Sequence, residues 1–527
     1  MFMSQTNTAS SAVQPSLARK IATAALLIAL GNIASRVLGV GRESVIAGVF
    51  GRSDTVDAFT AASAVPSTLY DLLVNGAISA ALIPVFSEYA EGDEREFWRI
   101  ASSVINLALL AIVSLMALMI WQAPLVVTVL ASGFRGDIRE LAIQMVRLML
   151  PAVVFMGLSG LVTALLQSRQ QFLLPAFTTS AYNLGIILGA LLLTPIFGPL
   201  SLVAGVLLGA FMQVVLQLPG LRGAHYRLAF DFEHPAVRRI LKLYAPVAMG
   251  IGFSILGIVL DRNLASRVGD NALATMRYAT TLIQFPLGLV VAAVSFAVLP
   301  TLSRQVSDGD AHAFRTTLAM GIKVVMLLIL PATLALLALA SPIVATILQR
   351  RAFSAADTAA TAWALRLYLP GLPAAAFDQM LLFAFYANQR TLAPNLVQGA
   401  AVGVYAATAL GLLATTQLGY GALVLGNSAQ WIGHALLLLL LSRGLVSLRG
   451  LRLGESLLKC GAASIAMGLV AWGTAQFVSG FGGALVQLVV AGGLGAAVYV
   501  ALCLLLHVEA LDFFVGAVRR RVQARRG

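Results

Sequence analysis

Residues 31–87 read GNIASRVLGVGRESVIAGVFGRSDTVDAFTAASAVPSTLYDLLVNGAISAALIPVFS. The stretch is apolar enough to lie in a membrane, yet it carries Arg36, Arg42, Glu43, Asp57 and Asp71. An ionised side chain at the bilayer centre costs about 2.5–3.5 kcal/mol on insertion scales. Such groups persist where they face protein or a wet cavity. A cavity holding several arginines suits an anion, and the planar guanidinium fork matches phosphate oxygens in particular.

The rest of the chain has the same character. Of its 527 residues 59% are hydrophobic and 11% charged, and the mean hydropathy is +0.90; soluble domains carry about 25% charged residues. Apolar runs of about twenty residues recur from end to end, which predicts an all-α polytopic membrane protein. A transmembrane barrel would show short alternating segments instead, and no polar stretch is long enough for a separate soluble domain. Residues 21–34 could serve as the core of a signal peptide, but Arg36 and Arg42 follow at once with no cleavage site. The net charge of +13 does not indicate nucleic acid, because the basic residues lie mainly in loops between spans. Cys460 and Cys503 sit in apolar runs and read as small buried hydrophobes.

The pattern predicts about fourteen spans between residues 20 and 507. Residues 1–19 read as a disordered cytoplasmic segment, 20–220 as a six-span lobe, 221–236 as a cytoplasmic linker and 237–442 as a second six-span lobe. Residues 443–507 hold two further spans, and 508–527 form a basic tail expected to lie along the inner leaflet. Pro66, Pro84, Pro151, Pro286, Pro300 and Pro370 are places to bend. Lysine and arginine are concentrated in the loops that share a side with both termini, which places those termini in the cytoplasm. Lys323 is expected to snorkel to the interface.

An internal repeat supports two lobes. AALIPVFSEYAEGD (80–93) resembles FAVLPTLSRQVSDGD (296–310), and RLMLP (147–151) resembles RLYLP (366–370). Aligned prolines at 84 and 300, 151 and 370, and 175 and 394 are offset by 216, 219 and 219 residues. Six spans is an even number, so the copies share an orientation and flank a site on a pseudo-twofold axis along the membrane normal.

Arg36 and Arg42 lie six residues apart, roughly 120° around a regular helix. Gly39 and Gly41 between them could unwind the segment and bring both heads into one cavity. The alternative is structural pairing of Arg42 with Glu43 or Asp57. From the second lobe, Arg262 and Arg277 could complete a basic ring; the plainer reading has Asp261 and Arg262 facing headgroups at a span end. The spacings Gly185–Gly189, Gly205–Gly209 and Gly399–Gly403 read as close helix packing. No nucleotide-binding loop, His-Glu-x-x-His or Cys-x-x-Cys pattern is present, so the chain does not read as an enzyme.

At SRVLGVGRE (35–43), TVDAF (55–59), PSTLYDLLVNGAISAALIPVFSEY (66–89) and QFPLGLVVAAVSFAVLPTLS (284–303), the sequence resembles the MurJ (MviN) lipid II flippase family of the multidrug/oligosaccharidyl-lipid/polysaccharide exporter superfamily. The resemblance implies flipping of undecaprenyl-diphosphate-linked peptidoglycan precursor, lipid II, across a bacterial inner membrane by alternating access. It also implies a groove for the polyprenyl tail formed by the last two helices. The family's first-helix arginines, following acid and second-helix aspartate match Arg36, Arg42, Glu43 and Asp57. Tyr70, Asp71, Asn75, Thr281 and Gln284 depart from the family pattern, with Arg277 one turn before Thr281. The sodium ligands of some members match at Asp261 and Asn395 but not at Gly399, leaving Na⁺ or the membrane potential as the coupling. No organic cofactor is implied. Expected partners are lipid II, membrane lipids and cell-wall synthesis proteins, with a monomeric chain. Two other readings remain open: a cation-coupled exporter of another lipid-linked saccharide or small solute, and a non-transporting cell-wall scaffold.

Overall fold

The computed structural model of the protein describes residues 15–512, apart from 91, 232 and 446–449. Expectations for residues 1–14 and for the basic tail from 513 lie outside the described residues, as do the side chains of Arg19 and Lys20. Every regular element described is helical. This is what a chain in hydrocarbon requires, because each backbone N–H and C=O must be satisfied within its own segment.

The first group of helices comprises α1 (Pro15–Phe50), α2 (Asp54–Tyr70), α3 (Ile83–Ala90), α4 (Glu94–Trp121), α5 (Ala123–Leu130), α6 (Gly136–Met149), α7 (Ala152–Ser168), α8 (Leu173–Ala176), α9 (Thr178–Leu188), α10 (Thr194–Phe197) and α11 (Ser201–Gln217). The second comprises α12 (Pro235–Val268), α13 (Ala272–Ser307), α14 (Ala311–Ala338), α15 (Ala340–Leu348), α16 (Ala355–Tyr368), α17 (Leu372–Ala387), α18 (Leu392–Thr415) and α19 (Tyr420–Ser442). The pair α20 (Leu453–Val478) and α21 (Ala484–Leu505) packs on α14 and α15. There Tyr499 donates to the Leu327 carbonyl at 2.6 Å, and Cys460 and Cys503 are buried and unbridged. Among the described residues, nine helical segments are long and apolar enough to cross a membrane, or ten if the bent pair α6–α7 is one span.

One pair of the repeated prolines, Pro151 and Pro370, lies at comparable breaks. Pro151 separates α6 from α7, which are bent by 41°. Pro370 lies in a 3-10 turn between α16 and α17. α2 passes into two π-helical turns, Asp71–Asn75 and Ile78–Leu82, before α3. The glycine spacings of α9 and α11 let two backbones touch: a Cβ on Gly185 would lie 2.2 Å from the Gly209 Cα, and one on Gly189 would lie 2.3 Å from the Gly205 Cα. Gly399 instead faces the Phe253 ring, and nothing lies against Gly403.

Two expectations are corrected here. α1 already begins at Pro15, inside the stretch read as disordered. Lys323 does not snorkel: it is buried on α14 and donates to Glu509, just beyond α21, at 2.6 Å. The partner carboxylate is half exposed, so the pair keeps contact with water on the Glu509 side.

A candidate anion site on the α1–α13 seam

α1 is helical from Pro15 to Phe50, so Gly39 and Gly41 do not unwind it. They leave room instead: nothing lies within 4 Å of a Cβ placed on Gly41, and only the Asn183 side chain approaches one on Gly39. Both arginines reach that space. A cavity of about 440 Å³ is lined by Asn32, Arg36, Gly39 and Arg42 of α1, Tyr182 and Asn183 of α9, and Thr281 and Gln284 of α13. A second cavity of about 300 Å³ lies on the other side of Arg36, toward Gly288, Gln379 and Trp431.

The two arginines are held differently. Arg42 donates from Nε to Glu43 at 2.9 Å and from Nη1 to the Asn183 side chain at 2.9 Å, with its Nη2 2.7 Å from Glu43. Asn183 in turn donates to the Ser35 carbonyl at 3.1 Å, which fixes α9 against α1. Arg277 crosses from α13 and grips the same carboxylate with both arms, each at 2.8 Å, while its guanidinium stacks 4.8 Å from the centre of the Phe59 ring. Glu43, 1% exposed, therefore sits between two cations from opposite sides of the seam. Three charges in that order carry one net positive charge at the end of the larger cavity. Among the described residues Arg36 has no carboxylate partner. It is exposed, and its guanidinium lies where Gly288 has no side chain: a Cβ there would be 2.5 Å from its Cζ.

Beyond Glu43, toward Phe50, the seam is closed. Asp57 is buried and accepts the Ala274 N–H in the first turn of α13 at 2.7 Å, where a carboxylate meets the positive end of a helix. Asn271 donates to Asp54 at 2.8 Å. Arg52 bonds Asp270 at 3.1 Å and Asp357 at 3.2 Å, and Tyr278 donates to the Gly51 carbonyl at 2.8 Å. Ser44 donates to the Ile347 carbonyl at 2.6 Å, and the Ala352 N–H meets the Gly48 carbonyl at 3.2 Å.

The sequence-selected residues thus divide. Arg36 and Arg42 share a cavity; Glu43 and Arg277 join Arg42 behind it; Asp57 belongs to the closure. Asp261 and Arg262 lie elsewhere. Asp261 accepts from Tyr405 at 2.8 Å and from Asn427 at 3.0 Å, and Arg262 is 3.9 Å from it. The sodium pairing is not formed. α12 and α18 run side by side in register, with Asn395 against Gly250, Gly399 against Phe253, Val402 against Gly257 and Tyr405 against Asp261. Asn395 is ten residues from Tyr405, about 15 Å along the helix. Tyr405 and Asn427 both donate to Oδ1 of Asp261, and with Asn395 held away along α18 the two residues do not meet at one ion. Among the described residues no group of three or more His, Cys, Asp and Glu side chains could hold a metal.

Sequence reading missed Asn183 and Gly288. Asn183 could have been found as a polar residue within an apolar run; Gly288 has no signal of its own, since its role is the side chain it lacks.

The model of the family described as "Lipid II flippase MurJ" matches residues 46–491. A lipid II flippase MurJ from Burkholderia cenocepacia is 32% identical over 425 residues, covering 78% of this chain and 79% of that protein. A probable lipid II flippase MurJ from Vibrio cholerae is 29% identical over 393 residues, covering 72% and 75%. A solved structure of a lipid II flippase MurJ in an inward closed conformation superposes with a TM-score of 0.78 at 24% identity, covering 92% of this chain and all of that one. An inward-facing MATE-family transporter of the MOP superfamily gives 0.66 at 14% identity, covering 80% and 97%. With a shared helical fold, a family match over most of its length and a relative at 32% identity, this chain belongs to the lipid II flippase MurJ family.

Proposed function

We propose that this chain carries lipid II from the inner to the outer leaflet of the bacterial cytoplasmic membrane by alternating access, making and breaking no covalent bond. The observation that carries the reading is Arg36: a guanidinium with no carboxylate partner among the described residues, at a cavity it shares with Arg42, on the seam between two helix groups. A diphosphate offers oxygens to both arginines, and charge-assisted bonds of that kind are about twice as strong as neutral ones.

The mechanism follows from how the seam is built. With both termini cytoplasmic, the Phe50 end of α1 is the outer end, so the bonds around Arg52, Asp57 and Tyr278 close the outside while the cavity lies on the inner side of Glu43. α1–α11 and α12–α19 are the two lobes, residues 20–220 and 237–442. Counting α9 and α11 as two crossings, α6–α7 as one, and adding α1, the α2–α3 segment and α13 to the remaining apolar helices gives fourteen spans. A diphosphate entering beside Arg36 adds negative charge next to Arg42, and Arg42 and Arg277 are the two cations that Glu43 holds together across the seam. Drawing Arg42 toward the ligand loosens that bridge and the outer closure beyond it. A ligand can shift such an equilibrium only through contacts that differ between the two states, and this triad supplies one. The exposed apolar faces of α20 and α21, including Leu469, Trp472 and Val489, support a resting place for the polyprenyl tail. A monomer suffices for this scheme, and cell-wall synthesis proteins are the partners it would hand its product to.

Native mass spectrometry of the purified protein tests the assignment. The expected result is a co-purified undecaprenyl diphosphate-linked saccharide that is lost from Arg36→Ala. Equal retention of that lipid by Arg36→Ala, or its absence from the wild type under conditions that preserve other lipids, contradicts the reading. A cation exporter would need an acidic cavity, whereas the charged residues lining this one are arginines.

A further inference from the structure

A second pair of ionisable groups lies inside the apolar part of the second helix group, and the transport scheme above does not use it. Asp378 of α17 and His434 of α19 are bonded, Oδ1 to Nδ1, at 2.7 Å. Both are largely withdrawn from solvent, with 13% of the Asp378 side chain and 9% of the His434 side chain exposed. The surroundings are apolar: Phe377, Leu381, Phe385 and Leu438 form a cluster on the same helices. Purely structural packing of α17 on α19 would not need ionisable groups. An ionisable pair in such a place is costly, and in transporters it is a recurrent way of carrying protons.

The position matters. The smaller cavity beside Arg36 is walled by Ala375 and Gln379 of α17 and by Trp431 of α19. Ala375 and Trp431 each lie three residues, about one turn, before Asp378 and His434. The pair therefore backs directly onto the wall of the arginine-lined space.

We propose that Asp378 and His434 form a proton-binding site that exchanges protons with the inner cavity. With the histidine neutral and the aspartate ionised, the pair carries one negative charge. Uptake of one proton from cavity water gives an imidazolium–carboxylate pair, or its neutral tautomer, with no net charge. No bond other than that to the proton forms or breaks. The charge felt by an anion beside Arg36 changes by one unit, so the protonated form favours the anion. Other ionisable groups lie on the elements around the pair; on α16, Arg366 donates to Ser341 at 3.1 Å. Tyr386 lies on α17 eight residues beyond Asp378, about two turns along the helix. Lys323 on α14 is turned to Glu509. Tyr405 on α18 and Asp261 on α12 are bonded to one another. On α13, Arg277 is bound to Glu43, and the stretch facing the cavity presents Gln284, Leu287 and Gly288. Arg36 of α1 lines that cavity opposite the Ala375, Gln379 and Trp431 wall.

The proton site stands without the flippase reading; only its effect on anion binding rests on that reading, and two measurements keep them apart. The first is infrared difference spectroscopy of the full chain in lipid nanodiscs, with no lipid substrate added. Between about pH 5 and 8, it should show a carboxyl or imidazole band change that is lost or shifted in both Asp378→Asn and His434→Gln. The same titration in all three proteins, or none in the wild type, overturns the proton site whatever the protein transports. The second is the affinity for undecaprenyl diphosphate at the two ends of that range. Wild-type binding should weaken on the order of tenfold as pH rises, as expected for one unit charge across a narrow stretch of protein. Asp378→Asn should bind at the tight limit throughout. Parallel pH profiles for the two proteins overturn the coupling. Monodisperse elution and an unchanged Tm establish that the variants are folded; should Asp378→Asn not fold, His434→Gln carries both comparisons.

Discussion

The two halves of the α1–α13 seam are made from the same kinds of residue and do opposite things. Toward Phe50, each charged group has a partner across the seam: Arg52 with Asp270 and Asp357, Asp57 with the start of α13, and Arg277 with Glu43. Toward Pro15, Arg36 has a cavity where the others have a carboxylate, and Gly288 supplies the space. The lesson is that an arginine at membrane depth is not informative by itself. The second question is what lies opposite its guanidinium. Where that is a carboxylate the residue holds the structure together, and where it is open space the residue is available to a ligand.

The comparison can be broken first at Arg42, which belongs to both halves. Arg42→Ala removes a cavity wall and one of the two cations on Glu43, and lipid II translocation in proteoliposomes should fall to the protein-free rate while folded protein is still recovered. Glu43→Ala comes next. It leaves two guanidinium groups facing one another without their anion, and loss of one member of a buried pair costs about 3–5 kcal/mol; a large fall in Tm in the same detergent checks this. Arg52→Gln acts only on the closed end. Its partners are partly exposed, so the effect on closure is about 1 kcal/mol. A cysteine at Ser53→Cys, where the Oγ is shielded, should then react roughly fivefold faster with an impermeant maleimide added outside than it does with Arg52 present. The smallest change sharpens the contrast most. Gly288→Ala places a methyl where the Arg36 guanidinium lies. The flexible end of the arginine moves aside, so stability should hold within about 0.5 kcal/mol while translocation falls a fewfold.

Much of this was legible before any coordinates. The apolar runs predict a helical membrane protein, and the repeat at Pro151 and Pro370 marks matched breaks before α7 and α17. Arg36 and Arg42 stand out because charge is rare at that depth. What could not be read was the partner of each charge. Glu43 is adjacent to Arg42 in sequence, but nothing in the spacing shows that Arg277, 234 residues later, takes both its oxygens. Asp261 and Asn395 were paired by family resemblance, and the register of α12 on α18 separates them, with Tyr405 and Asn427 taking the carboxylate instead. Lys323 reads as a snorkelling residue because Glu509 is far away in the chain. In each case the missing fact was a neighbour supplied by tertiary packing, to which local pattern is blind. Gly39 and Gly41 teach the complementary point, since they were expected to bend the helix and serve by leaving it bare.

The account rests on Arg36 being open to a ligand, and one measurement addresses that most directly: the rate of lipid II translocation into the outer leaflet of proteoliposomes containing wild-type protein or Arg36→Ala, with Tm recorded for both. The account predicts an unchanged Tm, because this arginine has no carboxylate partner among the described residues, together with a translocation rate indistinguishable from empty vesicles. A wild-type rate from folded Arg36→Ala protein would contradict it.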